Sequence, residues 1–184
     1  MLSWQAPEAP PAPAAQRIRP PVENMRYSST FGQRADPLHG SRRRHSGIDL
    51  PQPRGTLVYA SAGGVISFAG TANGYGKLVE IDHGGGVRTR YAHLSQFTVT
   101  SGMAVVGGDV VGFVGSTGRS TGNHLHYEVR IDGRAVDPRG VLGAELADFG
   151  VEMRRWPAET EVASRWAGWS AADTGDRLSI SSLK

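Results

Sequence analysis

The sequence predicts an all-β domain with a loop-rich outline. Three observations carry that expectation. Short β-branched and aromatic runs alternate with glycine-rich turns, 22 of the 25 glycines fall within residues 26–143, and no long stretch shows a helical period there. Hydrophobic residues are 39% of the 184, which suffices for one packed core. No stretch reaches the roughly 18 apolar residues of a membrane span.

Taken in order, residues 1–25 read as a Pro-rich linker. Six of the 11 prolines lie in residues 7–21, and no glycine precedes Gly32. The segment lacks the continuous apolar run of a signal peptide. That leaves a cytoplasmic chain, or a fragment whose export signal lies upstream. Strands are expected at Leu57–Ala60, Val65–Ala69, Leu78–Asp82, Val87–His93, Val110–Val114 and Leu125–Ile131, with a hairpin turn at Asp82–Gly86. Residues 144–184 form a tail holding three of the four tryptophans. Glu145–Arg155 and Glu159–Trp169 each suit a short helix. Val162, Trp166 and Trp169 share one face of the second, to pack on the domain or on a partner.

Composition excludes several chemistries. There is no cysteine, so disulfides, thiolate metal sites and cysteine nucleophiles are impossible. Of the 20 basic residues, 18 are arginine, and the net charge is +3. No aromatic-basic pattern of a nucleic-acid module accompanies them.

Chemistry concentrates in five residues. In His45-Ser46-Gly47-Ile48-Asp49, an extended chain puts His45 and Asp49 on one side, with Gly47 leaving the gap between them open. In the segment from His124 to Arg130, strict alternation sends His124, His126 and Glu128 to one face of a strand. Leu125, Tyr127 and Val129 go to the other. A catalytic zinc takes three N or O ligands and keeps a fourth position open. His45, Asp49 and one member of the His124/His126 pair supply such a set. The remaining histidine, with His93, is then free for acid–base and oxyanion work. His39 and His83 sit in loop or turn contexts and read as solvated or capping side chains.

The same segments resemble the lysostaphin-type, or LytM-like, zinc metallopeptidases. The matching stretches are Ser29–Arg34, His45–Asp49, Gly74-Tyr75-Gly76, Tyr91–Ser95, Gly115–Gly118 and Gly122–Glu128. The resemblance covers about residues 26–140, so the domain is expected over 26–143. Asn123 stands where the family often has proline before the His-x-His pair. The resemblance implies an antiparallel sheet forming a groove, related to the lipoyl-like barrel motif. It implies one zinc ion per chain on His45, Asp49 and His126, with His93 and His124 catalytic. It implies cleavage of peptidoglycan peptides in the periplasm or at the cell surface. The arginine bias suits a Gram-negative source, which favours D,D-endopeptidase action over cleavage of glycyl-glycine bridges. Arg42, Arg43 and Arg44, a basic loop beside His45, are candidates for gripping the carboxylates of wall peptides.

Two other readings compete. A catalytically silent domain would bind wall or activate another hydrolase, but the complete set of histidines argues against it. A lipoyl carrier would explain Gly102–Gly112, which resembles half of that barrel, yet such a carrier needs a lysine at a hairpin tip.

Overall fold

The computed structural model describes residues 16–35 and 42–151. Twelve strands occur among them, and every pairing is antiparallel. The first is β1 (Gly32–Ala35), then β2 (Arg42–His45), β3 (Ile48–Pro51), β4 (Leu57–Tyr59) and β5 (Gly64–Ala72). They are followed by β6 (Gly76–Gly84), β7 (Val87–Leu94), β8 (Gln96–Phe97) and β9 (Ala104–Val105). The last three are β10 (Val110–Phe113), β11 (His124–Ile131) and β12 (Arg134–Val136). The main sheet runs β12-β11-β7-β6-β5-β9, with β3 alongside the first half of β11. A smaller sheet runs β4-β10-β8, and β1 pairs with β2.

All six expected strands form. The Asp82–Gly86 turn joins β6 to β7, with Gly85 and Gly86 at φ 52° and 79°. That left-handed pair matches the twist of a two-residue hairpin, and glycine reaches it without steric cost. The Gly102–Gly112 segment becomes β9, a turn and β10. Lys77 lies within β6 and donates to the Ser95 carbonyl, so no hairpin-tip lysine occurs among the described residues.

One apolar cluster joins the two sheets. Ile48, Val79, Tyr91, Tyr127 and Leu125 of the main sheet pack with Val58 and Val111 of the smaller one. Both tyrosine hydroxyls are satisfied inside it. Tyr127 donates to Ser61 Oγ at 2.8 Å, and the Ser61 N–H donates to the Tyr91 oxygen at 2.8 Å.

Several expectations change. From Gln16 onward the Pro-rich segment is packed, not a free linker. Ile18 and Val22 are each 1% exposed. The Ile18 N–H donates to the Ala144 carbonyl, and the Tyr59 N–H to that of Pro21. An extended, proline-bearing strap needs no core of its own, because its side chains enter one built by others. Ile18→Ala is therefore expected to destabilise the fold by about 2–4 kcal/mol. The corresponding fall in Tm is roughly 5–15 °C, read by calorimetry. A Tm within two degrees of the parent would mean that the strap contributes nothing.

His83 is the second. It is 1% exposed, not solvated, and its Nδ1–H donates to the Gly63 carbonyl at 2.7 Å. Its Nε2 lies 2.8 Å from Thr89 Oγ1. Burial pushes its imidazole below the ordinary value of 6.5, and the Gly63 contact only partly offsets this. The unfolded chain therefore takes the proton first. The contribution of His83 is complete above about pH 6.5 and is lost as pH falls toward the depressed folded value. Urea unfolding at pH 7.5 and 5.0 should show a larger loss in the parent than in His83→Asn. Equal losses would remove His83 from the acid response.

At the C-terminal end, the described part of the helix expected over Glu145–Arg155 holds one 3₁₀ turn, Leu146–Phe149. Gly150 closes it in the left-handed region, at φ 73°. The helix expected at Glu159–Trp169, and the partner surface placed there, lie outside the described residues.

Candidate metal centre

Three buried side chains from three strands converge at one end of the main sheet. His45 ends β2, Asp49 lies in β3, and His126 lies in β11 directly opposite Asp49. The sequence suggested one extended segment for His45 and Asp49. The chain instead breaks at Ser46-Gly47, leaving the β1–β2 hairpin to join the main sheet. Gly47 makes this passage possible: a Cβ there would lie 2.2 Å from the Tyr127 carbonyl oxygen. The two side chains still meet, with His45 Nε2 3.1 Å from Asp49 Oδ1.

His126 completes the group. Its Nδ1 is 2.9 Å from Asp49 Oδ1 and 3.0 Å from His45 Nε2. One donor atom from each residue lies within 4.8 Å of the others. The far ring nitrogens are engaged elsewhere. His45 Nδ1 contacts the Thr30 carbonyl at 2.8 Å, and His126 Nε2 contacts Glu128 Oε1 at 3.1 Å. Two imidazole nitrogens and a carboxylate oxygen therefore face one point, a donor set that fits a divalent zinc ion.

Electrostatics agree with that convergence. Burial works to raise the Asp49 carboxyl, but His126 and His45 overcome it and hold it far below the carboxylate range. Burial works to lower His126, but Asp49 and Glu128 hold it above 6.5.

Two more histidines face the group. His93 lies in β7, where its φ of 60° is left-handed, uncommon for a residue with a side chain. Its N–H donates to the Tyr75 carbonyl, and its Nδ1–H to the Thr117 carbonyl at 2.7 Å. Burial pushes it down to about 4, so it is neutral at pH 7. With Nδ1 carrying the proton, the lone pair sits on Nε2. His124 begins β11, and its Nδ1–H donates to the Gly122 carbonyl at 2.9 Å. Its Nε2 is 3.6 Å from Asp49 Oδ1. The His93 and His124 rings are 4.8 Å apart, and His93 is 5.8 Å from the His126 ring.

These histidines form the floor of an open cleft of about 450 Å³. Ser28, Ser29 and Arg44 line it on one side, and the 73–75 and 119–123 loops line it elsewhere. Arg44 sits at its edge with its guanidinium 5.5 Å from the Phe31 ring. Arg42 and Arg43 belong to β2, which replaces the expected loop by a strand paired with β1. His39 lies outside the described residues.

Sequence reasoning assigned no part to Tyr75 or Glu128. Tyr75 lines the cleft and donates to Glu128 Oε1 at 2.8 Å. Glu128 was legible as a member of the His-x-His-x-Glu row. The Thr30 and Thr117 carbonyls that orient two histidines are backbone groups, which carry no residue signature.

Among known proteins, the chain is 55% identical over 121 residues to the DD-carboxypeptidase/endopeptidase Mpg of Neisseria meningitidis serogroup B. That alignment covers 66% of this chain and 28% of Mpg. It is 42% identical over 123 residues to the peptidoglycan DD-endopeptidase ShyA of Vibrio cholerae, covering 65% and 28%. The chain thus spans under a third of the length of these curated relatives. Among solved structures, a zinc-containing peptidase from Vibrio cholerae superposes with a TM-score of 0.62 at 33% identity, covering 67% of this chain and 39% of that one. The lysostaphin catalytic domain from Staphylococcus simulans gives 0.58 at 32% identity, covering 63% and 90%. The profile of Peptidase family M23 matches residues 43–138, more than half of the sequence, and its span runs from just before His45 to just past β12. By that match the chain belongs to Peptidase family M23, a family of metallopeptidases.

Proposed function

We propose that the chain is a zinc-dependent endopeptidase that hydrolyses peptide crosslinks of bacterial peptidoglycan, acting on D,D bonds. The observation that carries this reading is the convergence of His45, Asp49 and His126 at the floor of an open cleft, with His93 and His124 facing them. His45, Asp49 and His126 hold the zinc. A zinc ion so held acts as a Lewis acid, lowering the pKa of a water molecule and polarising a carbonyl.

The chain's own groups do the rest. His93 is neutral and presents its Nε2 lone pair to the cleft, so it takes the proton of the attacking water. His124, with both ring nitrogens protonated, donates its Nε2–H beside Asp49 to the oxygen that gains charge as the peptide carbonyl is attacked. Neither needs to reorient, because each Nδ1 is tied to a backbone carbonyl. The open cleft suits a polymer strand, which must enter from the side. The names of the similar enzymes, DD-carboxypeptidase/endopeptidase and peptidoglycan DD-endopeptidase, support the choice of substrate. Such a substrate places the chain in the periplasm or at the cell surface. Among the described residues no helix is long and apolar enough to cross a membrane.

The test is digestion of purified Gram-negative sacculi, with the fragments identified by mass. Crosslinked dimers should convert to monomers, and a chelator should stop the conversion. Persistence of dimers in the presence of zinc would favour a catalytically silent domain. Release at glycyl bridges of a Gram-positive wall, with no D,D cleavage, would move the specificity.

Arg44, with Arg42 and Arg43 on the same strand, is assigned to the carboxylates of the wall peptide. Exposed contacts of this kind are worth about 0.5–1.5 kcal/mol, so replacing all three by serine should raise KM several-fold and leave kcat near the parent's. It should also flatten the salt dependence of the rate on whole walls. Unchanged KM and salt dependence would remove the arginines from recognition.

A further inference from the structure

Behind the proposed metal ligands lies a carboxylate that the reaction does not use. Glu128 follows His126 by two residues on the same face of β11, and its side chain is fully buried. A buried carboxylate is tolerated only when it is paired and hydrogen-bonded. Glu128 is both. Its Oε1 accepts from His126 Nε2 at 3.1 Å, from the Tyr75 hydroxyl at 2.8 Å and from Ser46 Oγ. Its Oε2 accepts from Arg130 Nη1 at 2.9 Å, with Arg90 Nη1 at 3.8 Å.

The register explains why the carboxylate stays in place. Glu80, Arg90 and Glu128 are successive cross-strand partners on β6, β7 and β11. Glu80 Oε2 accepts from Arg90 Nε at 2.5 Å, and the Arg90 guanidinium lies 5.7 Å from the centre of the Tyr75 ring. A row of alternating charge thus crosses three strands and ends against His126. An ionised carboxylate can only accept, so the His126 proton facing it belongs on Nε2. The nitrogen left to bind an ion is Nδ1, which faces Asp49 Oδ1 and His45 Nε2.

We propose that Glu128 is a positioning residue that fixes the tautomer and the ring orientation of His126, so that His126 binds the metal through Nδ1. The proposal rests on the ligand set given under Proposed function. Outer carboxylates of this kind typically change metal affinity by about 10–100-fold when removed. Glu128→Gln keeps the shape, loses the charge and turns an amide toward two guanidinium groups. Glu80→Gln perturbs the same charged row without touching His126, so it separates a mere brace from a positioning role.

The experiment is competition for zinc between the full chain and a chromophoric chelator, in the parent and both variants. Glu128→Gln should bind zinc about 10–100-fold more weakly, and Glu80→Gln within about threefold of the parent. Long-range ¹H–¹⁵N spectra of the zinc-loaded parent should show the His126 proton on Nε2. That reading needs no variant and decides the matter should Glu128→Gln fail to fold. Parent-like zinc affinity in Glu128→Gln, an equal loss in Glu80→Gln, or a His126 proton on Nδ1 would each overturn the proposal and leave the ligand set standing. A parent that binds no zinc would overturn the ligand set as well.

Discussion

Replacing Asp49 or His126 by alanine is expected to abolish the proposed zinc binding and the proposed peptidase activity together. Each contributes one of three donor atoms, and two donors do not hold a structural or catalytic zinc at physiological free-metal levels. Asp49 carries an additional burden. Its carboxylate lies between His45 Nε2 and His126 Nδ1, which are 3.0 Å apart. Without it, two imidazole nitrogens face each other with no negative charge to draw a cation. Asp49→Ala should therefore contain no zinc in elemental analysis and release no monomers from sacculi. His126→Ala should do the same at a greater cost in stability, because it strips the buried Glu128 of its imidazole partner. Stoichiometric zinc in either purified variant would contradict the ligand assignment.

Removing His93 or His124 has a different signature. The zinc should stay, and turnover should fall by about 10²–10⁴-fold, the scale of a lost acid–base or oxyanion group. The choice of variant matters at His93. Its φ of 60° penalises alanine, whereas asparagine tolerates the left-handed region. His93→Asn thus isolates the loss of Nε2 chemistry from backbone strain. At His124, alanine suffices, because β11 is extended there and the side-chain hydrogen bonds run to its own loop at Ser120 and Gly122. Loss of zinc in His124→Ala would mean that the other member of the His-x-His pair is the ligand.

Much of the site was legible because period-2 alternation survives folding. In β11 it sends His124, His126 and Glu128 one way and Leu125, Tyr127 and Val129 the other. The long strands were legible for the same reason. Some short strands were not: β8 and β9 have two residues each, and β2 is mostly arginine, so neither length nor hydropathy marks them. The strap at Ile18 and Val22 was hidden by its prolines, which signal extension but not what the extended chain lies against. His83 looked solvated because it sits among glycines near a turn. Its burial comes from Gly63 and Thr89, on either side of it in the sequence, and from no local pattern. The His45–Asp49 pair was found on a false premise of one continuous strand. The two side chains still meet, because β3 pairs with β11 and returns Asp49 to a point opposite His126.

The central claim is that a single zinc sits between His45, Asp49 and His126 while His93 and His124 stay clear of it. Anomalous scattering from a zinc-loaded crystal, measured on both sides of the zinc edge, tests this directly. The account predicts one peak at roughly 2.0–2.2 Å from His45 Nε2, an Asp49 carboxylate oxygen and His126 Nδ1. A peak bonded to His93 or His124, or no peak at this cluster in an active enzyme, would contradict it.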